Sequence, residues 1–325
     1  MDPEAFNASV ARHLKDGTPF LFVVDFDCRR LHVHALETAA REGFLYDIKG
    51  NTNAEGPPVD KPSSLSIIPV DEALYAGRFR NVQSHLRAGD TYLLNLTFPS
   101  ELRTALSLAD IFHLARAPYK LLFRDVFTVF SPECFIRIHG DHVYTYPMKG
   151  TIDARVPDAR AVLLDDRKEQ WEHNTIVDLM RNDLSMIARD VAVTRYRYVE
   201  RIRTTRNEIL QTSSEIRGTL PTGWRDRFGH DLLRLLPAGS ISGAPKQRTV
   251  EIIRKNEIAP RGYYTGVFGI FDGRDLDSAV SIRFVESVGG RLYYKSGGGI
   301  TADSVLADEY RELVQKIYIP VGQGD

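Results

Sequence analysis

The stretch Glu133-Cys134-Phe135-Ile136-Arg137-Ile138-His139-Gly140-Asp141-His142-Val143-Tyr144-Thr145-Tyr146-Pro147-Met148-Lys149-Gly150-Thr151 decides how the fold is read. Branched, aromatic and polar residues alternate on both sides of a Gly-Asp pair, the pattern of an antiparallel hairpin. Lys149 ends the second arm, ahead of a Gly-Thr that suits a turn, so its amine points off a strand end. The loop length sets what that amine can face. A three-residue loop, Gly140 to His142, places Glu133 opposite Lys149 on one face. A two-residue loop pairs 133 with 148 and sends the two side chains to opposite faces, unless a bulge near Pro147 restores the register.

Outward from the hairpin, the periodicities alternate irregularly. Residues 2 to 15 read as a helix capped by Asp2, with Pro3 in its first turn and Phe6, Val10 and Leu14 on one face. Phe20 to Val24 reads as a buried strand, and 50 to 64, rich in Asn, Gly, Pro and Ser, as loop. Helices are predicted over Asp71 to Leu86, Ser107 to Ala115, Asp166 to Ala188, through Val250 to Lys255, and from Ser304 to about Ile317. Strands are predicted over Thr91 to Thr97, Ser214 to Leu220, Tyr263 to Ile270, Ala279 to Phe284 and Arg291 to Ser296. This mixture favours an α+β (mixed α/β) architecture over a doubly wound parallel sheet.

Composition narrows the function. The 325 residues carry 42 Lys plus Arg against 43 Asp plus Glu, and the net charge of -1 gives no reason to expect nucleic acid or an anionic membrane as partner. Neither a membrane-length apolar run nor a signal-peptide layout is present, so a cytoplasmic location is expected. Cys28 and Cys134 are too few for a disulfide framework, and neither sits in the Gly-x-Cys-x-Gly setting of a glutaminase nucleophile.

Two acidic helices are the strongest chemical signal. Glu169 and Glu172 are three apart, as are Glu309 and Glu312, so each helix presents two carboxylates on one face. Four carboxylates without thiols suit magnesium. Taken singly, each pair is more simply an ordinary solvated face. Two small-residue stretches, Gly239 to Lys246 and Gly297 to Ile300, are predicted as loops ahead of helices, where backbone N–H groups bind anions. The first fails the P-loop pattern, because Ala244-Pro245 separates Gly243 from Lys246 and no Ser or Thr follows. Arg283, read on an alternating strand, could clamp a carboxylate.

Taken together, Gly89-Asp90-Thr91-Tyr92 through Thr97, Ser131-Pro132-Glu133, Pro147-Met148-Lys149-Gly150-Thr151, Glu172-His173 through Asp183, Gly239 to Lys246, Tyr264-Thr265-Gly266, Ile282-Arg283 and Gly297 through Ser304 resemble the chorismate-utilising enzymes. Within them, the resemblance is to the aminodeoxychorismate synthase component I branch, where lysine stands at position 149 and anthranilate synthases carry alanine. It covers 71-325 as a chorismate-binding catalytic domain, with 1-70 a shortened segment packing on it. The resemblance implies an anthranilate synthase component I-like fold, antiparallel sheets packed face to face with helices outside. It implies that Lys149 attacks C2 of chorismate while Glu133 protonates the departing C4 hydroxyl, and that ammonia from a separate glutamine amidotransferase subunit then expels the lysine. Glu172 and Glu312, with Glu169 and Glu309 close by, would hold Mg2+. Ser242, Gly243, Tyr264, Arg283, Gly298, Gly299, Gln211 and Thr151 would bind substrate. The product would feed p-aminobenzoate and folate synthesis.

Two departures stand out. Gln211 occupies the place of the family's usual histidine and cannot shuttle a proton near neutral pH. The short N-terminus leads us to expect no feedback site. Rival readings are an anthranilate, isochorismate or aminodeoxyisochorismate synthase, or a non-catalytic anion-binding module.

Overall fold

The structure is a computed structural model describing residues 1–56, 65–203 and 208–320. Among the described residues, two nine-stranded sheets, with every pairing antiparallel, pack face to face. In the first sheet, Met148–Asp153 and His142–Thr145 run one after the other along one edge of Glu208–Thr219, and Arg189–Arg203 takes the other edge. The order then continues through Cys134–His139, Leu276–Val280, Val267–Phe271 and Phe20–Val24 to Leu31–Ala35. The second sheet centres on Leu93–Thr104 and Arg291–Ile300, followed by Phe284–Val288, Phe127–Ser131, Tyr119–Phe123 and Phe44–Ile48. Strands from the first 56 residues therefore belong to both sheets.

The core explains this layering. Phe20–Val24 is buried at all five positions. Leu21 and Val23 face the sandwich interior with Phe268, Ile270, Phe127 and Phe284, whereas Phe20, Phe22 and Val24 face outward under Phe6, Val10 and Leu14 of the first helix. A strand covered on both faces reads as a continuous apolar run rather than an alternation. Helix Leu108–Leu114 covers the outer face of the second sheet through Ile111 and Phe112. The helix ends follow local chemistry. Asp2, Asp71, Ser107 and Asp166 each accept a backbone N–H as N-caps, and Ser107 with Asp110 completes a capping box.

The hairpin closes with the two-residue loop. His139 pairs with His142 and Ile138 with Val143, leaving Gly140-Asp141 as the turn. The bulge that compensates lies in the first arm and not near Pro147. On the neighbouring strand Asp277 pairs with Arg137 and Ala279 with Cys134, so Ser278 alone opposes Phe135 and Ile136. Ser278 Oγ accepts from Ile136 N (3.1 Å) and donates to Ile136 O (2.6 Å), taking over the interrupted ladder bonds. Phe135 and Ile136 both enter the outer cluster, while Cys134 enters the interior one. The extra residue turns Glu133 to the outer, helix-covered face, the one Lys149 shares.

Several predicted elements differ, the strand predicted from Tyr263 starting only at Val267. Gly297–Gly299 is the end of strand Arg291–Ile300, paired with Asn95, Leu96 and Thr97, and not a loop. Arg283 lies between Leu276–Val280 of one sheet and Phe284–Val288 of the other, in left-handed backbone with φ 54°, because the chain changes sheets there. The Gly239 stretch holds a four-residue helix, Gly239–Ser242, before helix Lys246–Asn256. Among the described residues no helix is long and apolar enough to cross a membrane.

Candidate active site

Lys149 sits on Met148–Asp153, where the pairing with Glu208–Thr219 slips by one between Lys149 and Thr151. The extra residue is Gly150, with φ 80°. A Cβ there would be strained and would lie 3.0 Å from Glu169 Oε2, so glycine serves both the bulge and the close approach of the acidic helix. The Lys149 carbonyl accepts from Thr212 Oγ1, which fixes the backbone beneath the amine.

The amine meets helix Arg167–Ser185. Lys149 Nζ is 2.7 Å from Glu172 Oε2. Glu169 and Glu312 add their charges, so although burial pulls the Lys149 ammonium down, its carboxylate neighbours hold it above the ordinary lysine value. Glu169 keeps one buried oxygen without a hydrogen-bond partner, and burial raises its carboxyl above the usual range. From helix Leu306–Gln315, Glu309 accepts from Ser304 Oγ (2.8 Å) and is likewise raised by burial. Burial also acts upward on Glu312, but the charges of Lys316, Lys149 and Lys168 outweigh it and hold that carboxyl low. Through these charges Lys149 is coupled to Glu172, Glu169 and Glu312, and Glu309 to Lys149.

Glu133 stands beside this cluster. Its Oε1 accepts from Ser240 Oγ at 2.7 Å. Burial pushes its acid upward, opposed by that hydrogen bond and by the charges of Arg283 and Lys316. No direct hydrogen bond joins Glu133 to Lys149 among the described residues. Arg283 lies over the Tyr318 ring at 5.1 Å and keeps a buried Nε without a partner, a donor free for an oxyanion. Tyr264 is buried within reach of the charges of Arg283 and Glu133, and burial drives its hydroxyl upward.

The remaining candidates divide. Gly298 faces the acidic helix, and a Cβ there would lie 3.4 Å from Glu309 Oε2, 3.7 Å from Glu312 Oε1 and 3.8 Å from Lys316 Nζ. Gly299 pairs with Asn95, with a Cβ position 3.1 Å from Leu93. Ser242 is buried with its hydroxyl donated to Ala238 O (2.8 Å), and a Cβ on Gly243 would collide with the Leu93 carbonyl, so both shape the backbone. Gln211 pairs with Thr151 immediately beyond the Gly150 bulge.

Sequence reasoning passed over two residues. Lys316, 2.6 Å from Glu312 and donating to Gly297 O, was legible only as an i,i+4 partner on the last helix. Ser240 was one small residue among several.

The donor set fits a hard cation in kind, offering only oxygens, with one Glu169 oxygen unpartnered. Lys149 pairs with Glu172 and Lys316 with Glu312, and the convergence of four carboxylates expected from the helix spacings is not found: among the described residues no three acidic, histidine or cysteine side chains converge on a single point.

The sequence model for chorismate binding enzymes matches residues 10–321. This chain belongs to that family. An uncharacterized PabA-like protein of Pasteurella multocida is 54% identical over 324 residues, covering 99% of this chain and 100% of that one. Aminodeoxychorismate synthase component 1 of Salmonella typhimurium is 34% identical over 75% of this chain, and an anthranilate synthase component 1 of Haloarcula marismortui 32% over 87%. The chain covers only 56% and 59% of those two synthases. Anthranilate synthase component I from Streptococcus pneumoniae superposes with TM-score 0.69 at 28% identity, covering 81% of this chain and 62% of that one. The mixed α+β fold of paired antiparallel sheets is the fold of these chorismate enzymes.

Proposed function

We propose that this family member is an aminodeoxychorismate synthase, converting chorismate and ammonia to 4-amino-4-deoxychorismate and water. The observation that carries the reading is Lys149 itself, an amine on a bulged strand, paired with Glu172, within the charges of Glu169 and Glu312, and on the face that Glu133 shares. In the proposed sequence the neutral Lys149 amine bonds to C2 while the C4 hydroxyl departs with the proton of Glu133. Ammonia then bonds to C4, and the electron pair shifts back to expel the lysine. Ammonia is supplied by a separate glutaminase subunit.

Each protein group has a physical task. Hydroxide leaves poorly, and a general acid contributes about 10²- to 10⁴-fold. Burial raises the Glu133 carboxyl, favouring the protonated acid that this step needs, against the opposing Ser240 hydrogen bond and the charges of Arg283 and Lys316. Lys149 starts as an ammonium paired with Glu172, so it becomes a nucleophile only when Glu172 releases it. Glu172 and Glu312, with Glu169 and Glu309 beside them, would hold magnesium, which supplies positive charge to the substrate's ring carboxylate. Arg283, through its unpartnered Nε, and Gly298, through the space it leaves, orient the substrate's carboxylates.

The test is incubation of the purified protein with chorismate, ammonium and magnesium, with the product identified by mass and chromatography. Aminodeoxychorismate and a covalent adduct mapped to Lys149 are expected. Anthranilate or isochorismate as sole product refutes the reading.

A further inference from the structure

The acid Glu133 is aimed by a structure that begins far from it. Its partner Ser240 lies on helix Gly239–Ser242, a single turn too short to fix its own position. The turn packs into the core through Ala238 and Ile241, and a cavity of about 20 Å³, bounded in part by Cys134, Thr145, Asp183 and Ser240, lies on its Ser240 side. Polar contacts fix its orientation, among them Arg261 Nη1 donating to Ile241 O (2.8 Å) and Ser242 Oγ donating to Ala238 O (2.8 Å). Asp183 accepts from Gly239 N (3.2 Å) and is 2.9 Å from Lys246 Nζ, which also donates to Leu235 O (2.9 Å). The fit is close. A Cβ on Gly239 would lie 2.7 Å from Asp183 Oδ2 and 2.9 Å from Leu179 Cγ, so the turn rests directly on helix Arg167–Ser185.

We infer that Asp183 is a positioning residue for Glu133, acting through the Gly239 N–H and the Ser240 hydroxyl. Helix Arg167–Ser185 then sets both halves of the site: Glu169 and Glu172 in its first two turns face Lys149, and Asp183 in its last turn places the acid's partner. The inference rests on the reading of Glu133 as the general acid. Ser240 donates to the carboxylate form, so losing it favours the protonated acid. The other groups that face Glu133 are Arg283 and Lys316, both favouring ionisation, and Tyr264, whose own burial keeps it neutral. Burial raises the Asp183 carboxyl, and its counter-charge Lys246 opposes that shift.

The experiment compares Ser240→Ala, Asp183→Asn and the double variant in the full-length protein. Its readouts are the kcat–pH profile for chorismate consumption and 13C NMR titration of carboxyl-labelled glutamate, with Glu133 assigned from Glu133→Gln. Ser240→Ala should move the Glu133 titration upward by about one pH unit, so activity persists to higher pH. Asp183→Asn should move it the same way, and should add nothing in the Ser240→Ala background. An Asp183→Asn titration at the wild-type position, or shifts that add, overturns the inference. If Asp183→Asn does not fold, Lys246→Gln releases the same clamp and is expected to give the same shift. The NMR titration needs no substrate, so absence of chorismate turnover refutes the proposed reaction while leaving the positioning of Glu133 to be judged separately.

Discussion

Replacing one glycine by alanine at two neighbouring positions separates what the glycine strand does for the fold from what it does for the site. At Gly297 an added methyl runs into the Leu96 carbonyl oxygen and the Thr97 side chain, backbone that cannot yield without breaking the Gly297–Thr97 pairing. Overpacking of this kind costs about 1–3 kcal/mol, and a backbone obstacle puts Gly297→Ala at the upper end. At Gly298 the methyl meets Glu309 at 3.4 Å, Glu312 at 3.7 Å and Lys316 at 3.8 Å, all ordinary contacts with the ends of flexible side chains. Its backbone is not in the left-handed region, so Gly298→Ala should leave stability within about 1 kcal/mol. The methyl does, however, fill the space in front of the two glutamates. The expected outcome is a thermal midpoint several degrees lower for Gly297→Ala. Gly298→Ala should keep its midpoint near wild type but lose about 10- to 100-fold in kcat/KM, equivalent to about 1.4–2.8 kcal/mol of transition-state binding. Differential scanning fluorimetry and initial rates over a chorismate series read both quantities. A Gly298→Ala protein of wild-type kcat/KM would show that the strand face is not where substrate binds.

The remaining expectations concern the charged groups. Lys149→Ala should abolish amination and leave no covalent adduct by intact-protein mass, so full activity in that variant removes the covalent scheme. Glu172→Ala and Glu312→Ala should each raise the magnesium concentration needed for half-maximal rate by about 10-fold or more, and an unchanged magnesium titration contradicts the four-carboxylate site. Glu133→Gln should lose the acid step yet be more stable than wild type at pH 8. Burial raises the folded-state value of Glu133, so the folded chain holds that proton more tightly, and stability falls as pH rises from about 4.5 through the folded value. Thermal midpoints at pH 4.5 and pH 8 test it, and a gain no larger at pH 8 contradicts the burial argument. Gln211→His should keep activity within about a few-fold if the position only contributes a hydrogen bond, and complete inactivation in a rate assay would show otherwise.

The features legible in the sequence are those decided within a few residues. Asp2, Asp71, Ser107 and Asp166 start helices because each side chain satisfies an N–H three residues on. The carboxylate pairs share a face because helical spacing requires it. Gly297 to Gly299 and Arg283 were misplaced for the opposite reason. The glycines are a strand because Leu93–Thr104 lies alongside, some 200 residues earlier, and Arg283 leaves strand geometry because its two flanking strands belong to different sheets.

The hairpin shows the limit most sharply. A two-residue loop by itself separates Glu133 from Lys149. What brings them to one face is Ser278, 142 positions from Ile136, whose hydroxyl satisfies both the N–H and the C=O of Ile136 at the bulge. Nothing within the hairpin specifies that partner. A chain that needs an acid and an amine on one face, yet closes its turn on Gly140-Asp141, must supply the extra residue elsewhere. The cheapest place is opposite a small polar side chain that can replace the lost ladder bonds. Ser278→Ala, which removes only the hydroxyl, leaves that N–H and C=O buried without partners. It should cost about 2–3 kcal/mol in unfolding and lower the amination rate together with stability, because the register of Glu133 depends on the same two bonds.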